Sequence, residues 1–223
     1  MLAIPNLLKS SELQAIHEIL GRGEFYDGTK TAGAKIKHVK NNLELATAEG
    51  DREKLDKIVL AALMDNPTFT TFARPKDICS PLVNRFDPGM TYGWHIDGVI
   101  LRGQKERLRS DLSVTLFLND PATYEGGELV LETPGGQQRV KQPAGSAFVY
   151  STTVYHQVAP VTAGTRLAAV SWIQSYVKDP AQRQILFELG MAKDIAVEAD
   201  PDSLQSRLLV KNYFNLYRLW AET

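Results

Sequence analysis

Apolar positions along the chain change their period twice. Between Ser10 and Arg22, residues Leu13, Ile16, Ile19 and Leu20 recur at helical spacing and share one face. This predicts a helix capped by Ser10 or Ser11, with Glu12 in its first turn. The segment from Tyr26 to Gly33 is rich in turn formers and reads as a loop. A longer helical region is expected from about Asn42 to Met64, on Leu43, Leu45, Ala46, Leu55, Ile58, Val59, Ala62 and Leu63. Asn66-Pro67 is expected to end it.

From Leu82 onward the pattern changes to short apolar runs and alternation. Leu82–Phe86, Leu112–Leu118, Glu128–Leu131, Gln138–Val140, Ala147–Tyr150 and Arg166–Ile173 read as strands. Asp87-Pro88-Gly89, Glu125-Gly126-Gly127, Pro134-Gly135-Gly136 and Pro143-Ala144-Gly145 separate them as turns. Many short strands with evenly spaced turns point to a sandwich or barrel, with a jelly roll as the natural candidate. Helical spacing returns after Asp179-Pro180, in Gln182–Met191 and Ser203–Trp220. The last segment offers Leu209, Val210, Tyr213, Leu216, Tyr217 and Trp220 either to the barrel or to a homo-oligomer interface. The expected architecture is mainly β with flanking helices. Residues 1–76 would form an N-terminal helical region, 77–177 the core, and 178–223 a C-terminal helical extension.

Composition narrows the class of function. The 223 residues are 43% hydrophobic and 23% charged, with a formal net charge of -1. A chain with no global basic field is not built to hold nucleic acid as its main partner. The single cysteine, Cys79, excludes an intrachain disulfide and a cysteine-rich zinc cage, and fits a reducing compartment. Met1 to Lys9 lacks a basic stretch followed by a long apolar run, so no signal peptide is read. Apolar runs such as Ile58–Met64 are too short to span a bilayer. The expectation is a cytoplasmic protein with no membrane partner.

The chain has four histidines, His17, His38, His95 and His156. His17 in the first helix and His38 in a basic stretch read as structural or solvated. His95 and Asp97, at i and i+2 of an extended strand, point to one side and can converge on one point. That spacing alone is a weak signal. His156, at the far end of the Ala147–Tyr150 strand and its loop, could return beside it in a jelly roll. Two histidines and one carboxylate would then make the facial triad of non-haem Fe(II) oxygenases. Arg166, ten residues later and across an expected turn at Val161–Gly164, suits a bidentate grip on a carboxylate. Trp172, six residues further on the same strand face, would wall the pocket from water.

With these residues in view, the chain resembles the Fe(II)/2-oxoglutarate dioxygenases of the prolyl 4-hydroxylase-like branch. It is similar in particular to the bacterial PKHD-type, PiuC-like hydroxylases. The resemblance rests on Asn84-Arg85-Phe86 through Gly89-Met90-x-Tyr92-Gly93-x-His95-x-Asp97, and on Ser110-Asp111-Leu112-Ser113 and Tyr124-Glu125-Gly126-Gly127-Glu128-Leu129. Pro143-Ala144-Gly145, Pro160-Val161-Thr162 and Trp172-Ile173-Gln174-Ser175 match as well. So do the terminal segments, around Asp27-Gly28, Val39-Lys40-Asn41-Asn42 and Asn215-Leu216 with Trp220-Ala221-Glu222.

The resemblance implies a double-stranded β-helix core, with Fe(II) on His95, Asp97 and His156. It implies 2-oxoglutarate on Arg166, with Tyr92 and Trp172 as further pocket residues, and L-ascorbate as auxiliary reductant. It implies hydroxylation of an unactivated C–H with release of succinate and CO2, and a carboxylate at 97 fits hydroxylation over halogenation. PiuC-like proteins are associated with bacterial iron homeostasis. Related enzymes often carry tyrosine where this chain has Phe86, and a proline within the run equivalent to Ser151–Tyr155 that is missing here. Two other readings stay open: a cupin-like enzyme using another divalent metal, and a non-catalytic sensor of iron or 2-oxoglutarate. The loop from Gly98 to Arg109 carries Arg102, Lys105, Arg107 and Arg109 against Glu106. It could cover the site as a lid, and its charge hints at an acidic substrate.

Overall fold

The computed structural model describes residues 1–31, 33, 36–103 and 106–223. Two antiparallel sheets form the centre. The larger has the strand order Leu2–Ile4, Ala147–Ser151, Leu112–Phe117, Arg166–Ser175, Leu82–Phe86, Leu43–Ala46, Glu24–Asp27, and Pro75–Ile78 pairs alongside Arg166–Ser175. The smaller runs Gly136–Val140, Leu129–Thr133, His156–Val158, Thr91–His95, Lys40–Asn41. Strands adjacent in space are mostly distant in sequence, and this is the jelly-roll arrangement.

Alternation along the central strands decides what each face meets. In Leu112–Phe117, Leu112, Val114 and Leu116 join the core beneath the helices, while Ser113 and Thr115 face a cavity between the sheets. In Ala147–Ser151, Ala147 and Val149 go to the helical side, and Phe148 and Tyr150 pack against Leu129, Leu131 and Val140 of the smaller sheet. In Arg166–Ser175, Ala169 and Ile173 go to the helical side, and Arg166, Val170 and Trp172 line the cavity. A period of two thus makes one strand serve a dry core and a polar site at once.

Three helices cover the outer face of the larger sheet: α1 (Ser10–Arg22), α2 (Glu49–Met64) and α3 (Pro67–Ala73). Ile16, Ile19, Leu55, Val59, Leu63 and Phe69 are their buried contributions. Two more, α4 (Pro180–Ala199) and α5 (Leu204–Trp220), pack on each other as a C-terminal extension. Arg74 fastens this extension to the core. Its buried guanidinium lies 4.6 Å from the Tyr217 ring centroid and donates to the Tyr213 hydroxyl at 3.1 Å.

Several expectations are corrected. α1 is not capped by Ser10 or Ser11. Lys9 occupies the cap position, and the Glu12 carboxylate accepts its backbone N–H at 2.7 Å. The region from Asn42 to Met64 is not one helix. Leu43–Ala46 is a strand between Glu24–Asp27 and Leu82–Phe86, and the helix begins at Glu49. Alternation explains this: Leu45 enters the helical core, whereas Glu44 points to the other face. Asn66-Pro67 does more than end α2. The Asn66 side chain accepts from the Phe69 N–H and opens α3, with Pro67 in the first turn. Residues 1–76 are therefore not only helical; they supply strands to both sheets. Val161–Gly164, expected as a turn, is a strand paired with Tyr124–Gly126.

Candidate metal centre

His95 ends the strand Thr91–His95, and His156 begins the strand His156–Val158. The two strands pair antiparallel with His156 opposite His95. Asp97 lies past the strand end, not on an extended strand as expected, yet its carboxylate still returns to the same point. Asp97 Oδ1 is 4.0 Å from His95 Nε2 and 3.7 Å from His156 Nε2. One ligand atom from each of the three lies within 4.8 Å of the others. Among the described residues this is the one such cluster with metal-ligating potential.

The surrounding hydrogen bonds aim the ligands. His95 Nδ1 is 2.7 Å from the Gly93 carbonyl and His156 Nδ1 is 3.0 Å from the Val154 carbonyl. A carbonyl accepts only, so each Nδ1 carries a proton and each Nε2 is the ring nitrogen turned to the centre. The Ser113 hydroxyl donates to Asp97 Oδ2, leaving Oδ1 to face the imidazoles. Tyr92 stacks on His95, with ring centroids 3.7 Å apart and planes 11° from parallel. Burial, with His156 beside it, lowers the His95 pKa to about 4, so the imidazole is neutral at physiological pH, as a ligand must be. Two imidazoles and one carboxylate, each held from behind, fit a divalent iron.

Arg166 lines the same cavity, which measures about 610 Å³. Its side chain is among the largest fully buried in the protein, at 2% exposure. Burial pulls its pKa down, and the neighbours that oppose this are the phenols of Tyr124 and Tyr150, not carboxylates. Its Nε has no hydrogen-bond partner among the described residues. The guanidinium carbon lies 5.2 Å from the Phe86 ring centroid and 5.8 Å from that of Phe117. Phe86 therefore offers an aromatic face where related enzymes often offer a hydroxyl. A buried cation without a counter-charge is costly, and a dicarboxylate with one end on the metal would compensate it. The approach of Gly127 makes room for Arg166. A Cβ at 127 would lie 3.0 Å from Arg166 Cδ and 2.9 Å from Val161 Cγ2, and the Gly127 φ is +64°.

Tyr92 and Trp172 both line the cavity. His17 bonds the Leu118 carbonyl at 2.7 Å, His38 is exposed, and neither reaches the centre. In the basic loop, Ile100–Arg102 and Arg107–Arg109 pair as a hairpin. Leu101 faces the cavity, while Arg102, Arg107 and Arg109 do not line it. Arg109 is committed to Asp111 at 2.7 Å and Glu222 at 2.9 Å. Lys105 lies outside the described residues.

Sequence reasoning missed Ser113, Thr115 and Tyr150 as cavity residues. The signal was present, since Ser113 and Thr115 alternate with Leu112, Val114 and Leu116. It also missed the buried ion pair of Lys40 with Glu44, to which the Thr31 hydroxyl bonds on both sides. No helix among the described residues is long and apolar enough to cross a membrane.

Comparison with known proteins agrees with this geometry. Residues 81–174 match the family model of the 2OG-Fe(II) oxygenase superfamily. A PKHD-type hydroxylase of Synechococcus sp. (strain JA-2-3B'a(2-13)) is 40% identical over 222 residues, covering 100% of this chain and 99% of the relative. One of Burkholderia ambifaria is 42% identical over 223 residues, covering 99% and 98%. The fold is similar to a prolyl hydroxylase of Trichoplax adhaerens in complex with a hypoxia inducible factor peptide fragment. The TM-score there is 0.59, with 18% identity, 78% of this chain and 83% of the other covered. Full-length identity at this level, with the His95–Asp97–His156 cluster in place, means that the chain belongs to the PKHD-type hydroxylases of the 2OG-Fe(II) oxygenase superfamily.

Proposed function

We propose that this protein is an Fe(II)- and 2-oxoglutarate-dependent dioxygenase that hydroxylates an unactivated C–H, releasing succinate and CO2. The observation that carries the reading is Arg166, a buried cation with no carboxylate partner among the described residues, in the same cavity as the His95, Asp97 and His156 cluster.

His95, Asp97 and His156 would hold the iron, which when bound supplies the redox chemistry that couples decarboxylation of the 2-oxo acid to oxygen insertion. Arg166 would take the far carboxylate of 2-oxoglutarate and so fix the orientation of its keto-acid end. Thr115 and Tyr150 line the wall beside it and offer hydroxyl donors. Ser113 holds Asp97 through its outer oxygen, which sets the direction of the carboxylate. Val170 and Trp172 contribute apolar wall that limits water around the reacting atoms. L-ascorbate as auxiliary reductant, and residence in the cytoplasm, extend the same reading. The first rests on the family resemblance and the second on the lone, buried Cys79.

The test is succinate formation from 2-oxoglutarate under air with Fe(II), for wild type beside Asp97→Ala. Turnover in wild type and its loss in the variant supports the assignment. Equal turnover in both removes it.

A further inference from the structure

A second, smaller hollow adjoins the metal cavity at a neck of shared residues. Leu82, Leu101 and Trp172 belong to both. Beyond them the outer hollow is lined by Arg102 and Arg52, with Cys79, Ser80 and Gly103. Trp172 is six residues from Arg166 on one strand, about 20 Å along the backbone. The neck is therefore at the other end of the cavity from the 2-oxoglutarate clamp. The hairpin that carries Leu101 folds back on the turn that follows the metal strand. A Cβ at Gly98 would lie 2.9 Å from Leu101 Cδ2, and the Ser110 hydroxyl bonds the Gly98 carbonyl.

Charge separates the two spaces. Inside, Lys40 is neutralised by Glu44, and Arg166 by the co-substrate of the proposed reaction. Among the described residues no uncompensated charge is left there for a second molecule. Outside, Arg102 stands directly opposite Arg107 in the hairpin register. Like charges directly opposite are destabilising. Both are exposed, and neither has an ion pair among the described residues, whereas Arg52 is held by Asp56 at 3.0 Å. The Asp77 carboxylate approaches the hairpin at Gly103 without pairing to either arginine. Local repulsion of this kind, kept beside a site mouth, has a use if an anion bridges the two guanidiniums.

We infer that the primary substrate is an acidic molecule with a neutral aliphatic segment. The segment passes Leu82, Leu101 and Trp172 to the metal, and a carboxylate remains outside on Arg102 and Arg107. This rests on the oxygenase reading above and adds the substrate class to it. The acid could be a free aliphatic acid or a side chain of an acidic peptide, and the test separates these sources.

The experiment is calorimetric binding to protein loaded with Mn(II) and saturating 2-oxoglutarate. The probe pairs are octanoate against 1-octanol, and acetyl-Leu-Pro-Glu-Glu-amide against acetyl-Leu-Pro-Gln-Gln-amide. One acidic probe should bind roughly fivefold or more tightly than its neutral match, the worth of two exposed ion pairs. The preference should fade with added salt and vanish in R102A/R107A. L101W should weaken that probe by closing the neck. The variant R102A/R107A should melt no lower than wild type, since it removes a repulsive pair. No acidic preference in either pair, or a preference that survives R102A/R107A, overturns the inference. If 2-oxoglutarate itself does not bind the Mn(II) protein, the oxygenase reading fails first. If it binds and no preference appears, only the substrate class fails.

Discussion

Replacing Arg166 with leucine should push stability and co-substrate affinity in opposite directions. Arg166 is 2% exposed and has no carboxylate partner among the described residues, so the co-substrate-free protein bears the cost of its desolvation. The R166L change would remove that cost while keeping an apolar stem beside Phe86 and Phe117. A relief of about 1 kcal/mol would raise the melting temperature by ~2–4 °C for a chain of this size. Binding of 2-oxoglutarate would lose the arginine that lines its cavity. Truncating one member of a buried charged pair costs about 2–5 kcal/mol, or roughly 30- to 4,000-fold in Kd. The assay is paired: thermal melting without co-substrate, and calorimetric titration of 2-oxoglutarate into Mn(II)-loaded protein. Saturating 2-oxoglutarate should raise the melting point of wild type by linkage and leave the variant unmoved. An R166L protein that binds 2-oxoglutarate within threefold of wild type would refute the argument.

Other consequences are equally checkable. Ser113→Ala frees Asp97 Oδ2 and should weaken metal binding by about 10- to 100-fold in a competitive chelator titration, with little change in melting temperature. Gly127→Ala places a Cβ against Arg166 at a φ of +64°. It should cost about 1–2 kcal/mol in urea unfolding and also weaken 2-oxoglutarate binding. Burial pushes the Cys79 thiol up to about 11, so at pH 8 it stays protonated. Alkylation of folded protein by iodoacetamide should be slower than that of a free thiol by about two orders of magnitude, and should accelerate as pH rises toward 11.

The strands of the core were legible because alternation survives wherever one face is dry. Leu82–Phe86 and Arg166–Ser175 are where the pattern puts them, and the latter carries Arg166 and Trp172 on one face as its even spacing requires. Leu43–Ala46 mimics a helical pattern because two leucines and an alanine sit next to a true helix, and four residues are too few to set a period. What made it a strand is non-local, the pairing with Leu82–Phe86. The metal cluster was half legible. His95 and Asp97 are close in sequence, but joining them to His156 needed a fold in which strands far apart in the chain lie side by side. The support of each ligand was the least legible part. Backbone carbonyls of Gly93 and Val154, and the reach of Ser113 across the sheet, exist only once the chain has folded. The arginine lid shows the same limit from the other side. Its charges were plain in the sequence, but the commitment of Arg109 to Asp111 and Glu222 was not.

The most direct measurement is the fate of molecular oxygen. Wild-type protein is supplied with Fe(II), 2-oxoglutarate and oxygen-18 gas, and the succinate is weighed by mass spectrometry. The account predicts succinate carrying one oxygen-18 atom, with no such product from Asp97→Ala. Succinate without the label, or labelled succinate at an equal rate from the variant, would contradict it.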